Sequence, residues 1–323
     1  MKRIPVILYI ALLFAMQSCI REDVDDCSAA LLLRFRYTLN DQQTNLFGTN
    51  IHKITVYIFD KEGKYVDTFS ESGEKVTNDY IMQIPLPAGS YSIIAYGGDF
   101  TTYTVGELNS VTNETSKLLQ EGVTDIKDFR LLLNNTAGTE GFLLPVKIPD
   151  DLYAGITINA LSTTSRKQVT DVELIQDTKK IKVILTGTDF LTRTQAVPDI
   201  YITALNGRYK FDNQIDGTYR MLKYVPSQTT VDSNRMEANL KTMRLMIGAS
   251  PMLVIKDPAT SKLLYNKNII EQILLNPAYT SQTDLDREDE FVFAIKLEEQ
   301  DQQLVVSVTI NGWEINEIFP VTE

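Results

Sequence analysis

Leu31, Leu33, Phe35 and Tyr37 fall on alternate positions of "ALLLRFRY" (30 to 37), and this period of two recurs along most of the chain. Alternation at that period puts apolar side chains on one face of an extended strand and leaves the other face to a different environment. In "IHKITVYIF" (51 to 59), Ile54, Val56 and Ile58 share one face while Tyr57 and Phe59 share the other. Asp60-Lys61-Glu62-Gly63 then supplies turn residues, with glycine available for positive φ, so "KYVDTF" reads as the return strand of a hairpin. "YIMQIPL" (80 to 86), the Pro87-Ala88-Gly89 turn and "SYSIIAYGG" (90 to 98) form a second pair, and "FRLLLN" (129 to 134) a further strand.

Between Leu144 and Asp150 the text changes: two prolines and a charge pair mark a connection or an edge strand. A second series follows, "GITINALS" (155 to 162), "VTDVELI" (169 to 175), "KIKVILTG" (180 to 187) and "DIYITAL" (199 to 205). It continues through "MLVIKD" (252 to 257), "EFVFAIKL" (290 to 297) and "LVVSVTI" (304 to 310). Asn311-Gly312 is a favoured two-residue hairpin turn, from which "WEINEIF" returns. Helical spacing appears over 267 to 275, where Ile269, Ile270, Ile273 and Leu274 share a face before Pro277, and a second short helix is expected over 113 to 121. The expected fold is therefore all-β, two antiparallel β-sandwich domains in tandem, spanning 28–150 and 151–323.

The head of the chain serves another purpose. Lys2 and Arg3 precede thirteen uncharged residues, Ile4 to Met16, a run shorter than the roughly 20 apolar residues of a permanent membrane span. Its length suits the apolar core of a secretory signal, and it ends in Ser18 directly before Cys19. A small residue before a cysteine at that point is what lipoprotein processing requires, although Met16 and Gln17 are a relaxed version of the usual site. Residues 1–18 are then a lipoprotein signal peptide cut between Ser18 and Cys19, with Cys19 the lipidation site. Residues 19–27 are an acidic tether. Acylation would spend the Cys19 sulfur, leaving Cys27 without an intramolecular partner, as a small residue at the start of the fold. Glu22, Asp23, Asp25 and Asp26 read either as a solvated spacer or as an export signal, since they resemble the surface-sorting signal of Bacteroidetes lipoproteins.

Without the signal the chain keeps 29 basic against 42 acidic residues, a formal charge of −13. Such a surface repels nucleic acid and anionic headgroups, so attachment to a membrane must come from the acyl chains. Catalysis finds little support. The one histidine, His52, opens a strand and is expected to be partly exposed, which leaves a Ser or Cys nucleophile without its usual base. "DLDREDE" (284 to 290) has the alternate acids of a calcium loop, but Asp289 stands where the glycine belongs, so a solvated loop is expected. The lone Trp313 is expected to fill the second core. No cofactor or metal is expected, and no enzyme activity.

Several stretches, taken in order, carry a resemblance. They are the "SCI…DDC" head, "LLLRFRY", "ITVYIFDKEGKYV", the "LPAGSYSIIAYGG" hairpin and "VTINGWEI". Together they resemble the anchoring-subunit lipoproteins of Bacteroidales fimbriae, the FimB and Mfa-type anchors of type V pili. The resemblance implies two transthyretin-like β-sandwiches held at the cell outer membrane by acyl chains on Cys19. It implies a surface-exposed protein that anchors a fimbrium, limits its length and binds fimbrial shaft or accessory subunits by β-strand complementation. The alternatives are an accessory or tip subunit of the same family, and a glycan-binding surface lipoprotein.

Overall fold

The computed structural model describes residues 29–116, 118–164, 168–187, 197–232, 234–300 and 303–315. The signal peptide, the cleavage site at Ser18 and Cys19, and the acidic tether with Cys27 lie outside the described residues. In chain order the early elements are β1 (Leu31–Arg36), α1 (Phe47–Asn50), β2 (Lys53–Phe59), β3 (Tyr65–Ser72), β4 (Ile81–Ile84), β5 (Gly89–Gly97), β6 (Tyr103–Asn109) and β7 (Glu114–Thr115). The middle ones are β8 (Phe129–Leu133), β9 (Asn135–Ala137), β10 (Leu143–Pro145), β11 (Tyr153–Ser162), β12 (Val169–Glu173), β13 (Ile175–Gln176), β14 (Thr178–Thr186), β15 (Asp199–Ala204) and β16 (Arg208–Lys210). The last are β17 (Leu222–Tyr224), β18 (Gln228–Asp232), β19 (Arg235–Met243), β20 (Met252–Lys256), β21 (Leu263–Asn268), α2 (Ile269–Ile273), α3 (Gln282–Arg287), β22 (Glu290–Gln300), β23 (Gln303–Ile310) and β24 (Trp313–Ile315).

The first sandwich packs a three-stranded sheet, β12-β1-β4, over a five-stranded one, β13-β11-β5-β2-β3. The alternating side chains Leu31, Leu33 and Phe35 of β1, with Tyr37 just after it, meet Ile54, Val56 and Ile58 of β2 in one core, as the period of two requires. The second sandwich packs two six-stranded sheets, β21-β20-β15-β17-β10-β9 and β18-β19-β14-β22-β23-β24. Most pairs are antiparallel, but β1 runs parallel to β12, β14 to β22, and β10 to β17. Both turns legible in the sequence form: Gly63 takes φ +79° in the β2–β3 hairpin, and Asn311 and Gly312 take +47° and +80° before β24. Positive φ at both central residues is the hairpin turn that suits twisted strands.

The centre of the five-stranded sheet, at β2 and β5, is buried on both faces, which explains why β2 carries apolar residues on both. Its second face, with Tyr57, Phe59, Ile94 and Tyr96, packs on a four-stranded sheet, β16-β8-β6-β7, and joins the core of the second sandwich. Phe129 of β8 sits at the centre, with ring centroids 5.2 Å from Tyr57, 5.6 Å from Phe59 and 6.3 Å from Tyr96. β8 pairs on one side with β6 and on the other with β16, far along the chain. Asp216 reinforces that second pairing by accepting from Nε of both Arg130 and Arg208 at 2.9 Å. Burial pulls its carboxyl upward, but the Thr218 and arginine hydrogen bonds prevail and hold it near about 2.

Two expectations change. The division between 150 and 151 does not separate the sheets. β11 pairs with β5 over eight register positions and β12 lies beside β1, while β9 and β10 belong to the second sandwich. The chain crosses between sandwiches more than once, and the stretch from Leu144 to Asp150 is one of the crossings. The helix expected over 113 to 121 is replaced by a hairpin in which Glu114 and Thr115 pair with Asn109 and Leu108. There Asn109 Oδ1 accepts from the Val111 and Thr112 amides, a local turn that outcompetes a helix lacking an apolar stripe. The helix read at 267 to 275 forms as α2, capped by Asn268, whose side chain accepts from the Ile270 and Glu271 amides.

Because the Phe129 ring is shared by two sheets, Phe129→Ala should lower the unfolding free energy by about 3–5 kcal/mol, read from urea denaturation. A loss below about 1 kcal/mol would show that the neighbouring rings close the space.

Candidate interaction site

Three features of the structure bear on what the chain can hold: the strand nearest the tether, the junction between sandwiches, and the open sheet edges. The described chain begins one residue before the bridge between Ala30 and Thr163 and enters β1 at once. β1 is a central strand, paired with β12 over Leu32–Arg36 and with β4 over Leu31–Arg34. On its outward face Arg34 makes a forked contact to Asp171 of β12, Nε–Oδ1 2.6 Å and Nη2–Oδ2 2.9 Å, and Thr38 Oγ1 donates to Glu173 at 3.1 Å. The Arg34 hydrogen bond holds the Asp171 carboxyl below the usual carboxylate range. These surface contacts set register more than stability.

The end of β1 reaches the second sandwich. Tyr37 OH lies 3.1 Å from Gln176 Oε1 and 3.2 Å from Asp289 Oδ1. Close by, a buried ionic cluster joins strands of both sandwiches. Arg244 donates to Asp286 through Nε at 2.8 Å and Nη2 at 2.6 Å, and its Nε stands 3.7 Å from Asp177 Oδ1. Lys179 Nζ donates to the Asp286 and Glu288 carbonyls at 2.8 and 2.6 Å, and Asn213 Nδ2 to Asp177 Oδ1 at 3.0 Å. Asp177 and Lys179 are fully buried. Burial pushes the Asp177 carboxyl up to about 6 despite Arg244, and lowers Lys179 to about 8 despite Asp286.

The acids of 284 to 290 are therefore part of the fold and not a solvated loop. Asp284 completes the capping box of α3 with Ser281, and Asp286 is the buried partner of Arg244. His52 is exposed, just before β2. Trp313 is 47% exposed at the edge strand β24, and so does not fill the second core. The second core is closed instead by residues such as Phe291, Phe293 and Tyr279. Among the described residues no group of three or more His, Cys, Asp or Glu could hold a metal ion.

The sheet edges differ in how they are covered. The start of β3 is tied to the 122–125 segment, through Tyr65 N to Thr124 O at 2.9 Å and Gly122 N to Tyr65 O at 2.8 Å. β18 is the contrast. It pairs on one side only, with β19, and all five of its side chains are exposed. Among the described residues no backbone hydrogen bond closes its outer edge. The sequence QTTVD contains β-branched residues and lacks the lysine, proline or bulge that ordinarily blunts an edge.

The chain belongs to the family of fimbrillin-A associated anchor proteins Mfa1 and Mfa2, whose model matches residues 24–319. Membership carries association with the fimbrium and its subunits. Among solved structures it is similar to a Bacteroides thetaiotaomicron chain described as a candidate polysaccharide-binding protein. Identity there is 25%, with a TM-score of 0.73 and coverage of 91% of this chain and 98% of that one. It shares its fold with the fimbrial anchor protein Mfa2 of Porphyromonas gingivalis, at 18% identity, TM-score 0.70 and coverage of 90% and 99%. A candidate adhesin from Bacteroides ovatus has the same fold, at 21% identity, TM-score 0.74 and coverage of 94% and 98%. No curated protein matches in sequence.

The junction gives a test in pH. The Asp177 carboxyl ionises near 3.8 when unfolded and near about 6 when folded, so the native state keeps a proton across that window. Stability thus falls as pH rises from about 4 to about 6, and the cost persists above it. Lys179 works the other way at high pH, its cost fading between about 8 and 10.5. Relative to the parent, Asp177→Asn should gain roughly 3 kcal/mol between about pH 4 and pH 7, read from urea midpoints. A difference that stays flat with pH would place the Asp177 proton elsewhere.

Proposed function

We propose that this chain is a surface lipoprotein that holds a fimbrium to the outer membrane, with acyl chains on Cys19 as the hold and an open sheet edge as the dock. The family supports the fimbrial role. The observation that carries the docking mode is β18, an all-exposed strand with one unpaired side. An extended segment of a fimbrial subunit adds there as a further strand. Main-chain hydrogen bonds supply affinity, and alternate side chains set register. The role is mechanical, not catalytic: the chain transmits a pull from polymer to membrane, and cutting the polymer off at this end limits its length.

A second reading has one observation in its favour. The exposed Trp313, with the description of the B. thetaiotaomicron relative, suits an aromatic platform for a sugar ring. A polysaccharide panel on the purified protein, with Trp313→Ala as control, separates that reading from the anchor.

In cells, Cys19→Ala should shed filaments into the medium while total polymer is unchanged. Val231→Lys, which puts a charge on the open edge, should shed them with lipidation intact. Filaments that stay attached and unaltered with a stable, unlipidated Cys19→Ala protein would remove this chain as their sole anchor.

A further inference from the structure

The crossing segment after β10 and the segment after β17 run side by side and leave a cleft of about 150 Å³ lined by Leu144, Ile148, Pro149, Val225 and Pro226. A second hollow of about 280 Å³ adjoins it on the outer face of β14 and β19, sharing Ile148, Ser227 and Lys241. Branched apolar side chains stand open along this line: Val146 is 58% exposed, Ile148 54% and Val225 56%. The charge is unusual for the chain. Lys147, Lys223 and Lys241 line the first hollow, and Lys180, Lys182 and Lys241 the second, on a protein of net charge −11. Lys241 is paired with Asp151 at 2.9 Å and Lys182 with Glu237 at 3.3 Å, Lys223 lies 4.0 Å over the Tyr201 ring, and Glu290 lines the far end. Among the described residues Lys147 has no ion pair, and Lys180 has none within 4 Å, although it lies near the Asp289 carboxylate and opposite Glu290 in register.

We propose that this cleft seats an extended acidic segment of a partner polypeptide. Its apolar side chains enter beside Ile148 and Val225, and its carboxylates meet Lys147 and Lys180. Pro145, Pro149 and Pro226 stiffen the walls, so little order is lost when a strand lies between them. The position also fits a strand. Pairing of β18 with β19 stops at Gln228 opposite Asn239, where Ser227 N and Oγ both donate to the Asn239 carbonyl, at 2.8 and 2.9 Å. Beyond that point β19 has β14 as its only strand neighbour; Asn206 closes the far end by donating to the Met243 carbonyl at 3.2 Å, which leaves Leu240 and Lys241 facing the hollow. A segment in the cleft therefore runs beside Leu240 and Lys241 of β19 and in line with β18. An anionic lipid surface fits worse, because Asp151, Glu237 and Glu290 flank the lysines and the chain as a whole is acidic. The proposal rests on the anchor reading for the partner's being a fimbrial subunit, and not for the binding itself.

The test uses the full chain and a fluorescein-labelled peptide of about nine alternating Glu and Val residues, followed by anisotropy. Saturable binding is expected, weakening with added salt and falling at least about tenfold in the Lys147→Glu, Lys180→Glu double variant. Ile148→Asp should weaken it similarly, while urea midpoints stay at the parent value. A peptide with Lys in place of Glu should not bind. Equal binding of the two peptides, no binding of the acidic one, or full affinity in the double variant overturns the proposal. So does lysine-dependent binding to phosphatidylglycerol vesicles without peptide binding, or lysine-dependent self-association in the ultracentrifuge without it. A parent that ignores the peptide but sheds filaments on Cys19→Ala loses this proposal and keeps the anchor reading.

Discussion

A carboxylate and an ammonium cannot be taken out of water without partners, and the way Asp177 and Lys179 are satisfied decides how this molecule is joined. Asp177 follows β13, the last strand of the first sandwich, and Lys179 opens β14, an inner strand of the second. Arg244 at the end of β19 and Asp286 on α3 complete the set. Removing one member of such a cluster strands the others at a cost of about 3–5 kcal/mol, more than a surface pair contributes. The cluster is thus less a source of net stability than a condition on geometry. The two sandwiches satisfy these charges only when β13, β14, β19 and α3 converge as they do.

That condition has a mechanical consequence if the lipid on Cys19 is the hold. Tension from the tether would enter β1 at its N-terminal end and run along the strand. A pull in that direction loads the hydrogen bonds to β12 and β4 together, in shear, where a pull across the strand would open them one by one. The load then passes at Tyr37 to Gln176 and Asp289, and so to β13 and the start of β22. β22 lies beside β14, β14 beside β19, and β19 beside β18. Among the described residues the path from β1 to the open edge runs through paired strands and the Tyr37 contacts.

Much of this was legible in the residues. The period of two located the strands, and the Asp60–Gly63 and Asn311-Gly312 turns located their hairpins. The alternation placed Tyr57 and Phe59 on the face opposite Ile54, Val56 and Ile58, but not the sheet that buries that second face. What alternation does not carry is the identity of the neighbour. β11 pairing with β5, and β16 with β8, are long-range choices made by core packing, so a boundary at 150 looked reasonable and the sheets cross it. The buried ions were hidden for a related reason. In "QDTKK" (176 to 180) nothing local marks Asp177 and Lys179 for burial, and only the arrival of Arg244 and Asp286 from elsewhere makes it tolerable. Trp313 misled in the opposite sense, since its hairpin leaves it 47% exposed on the edge strand β24.

The same logic governs where another chain could join. An edge is safe when its unpaired amides and carbonyls are covered or its side chains forbid a neighbour. β3 is partly covered by the 122–125 segment, and β1 is no edge at all. Among the described residues β18 is neither covered nor charged along its middle, and the stretch of β19 beside it is flanked by lysines, of which Lys147 and Lys180 have no ion pair within 4 Å. An acidic protein that wanted only to stay soluble would gain nothing from gathering lysines around exposed Ile148 and Val225. Their placement beside an unfinished sheet makes sense for a surface that expects a strand of opposite charge.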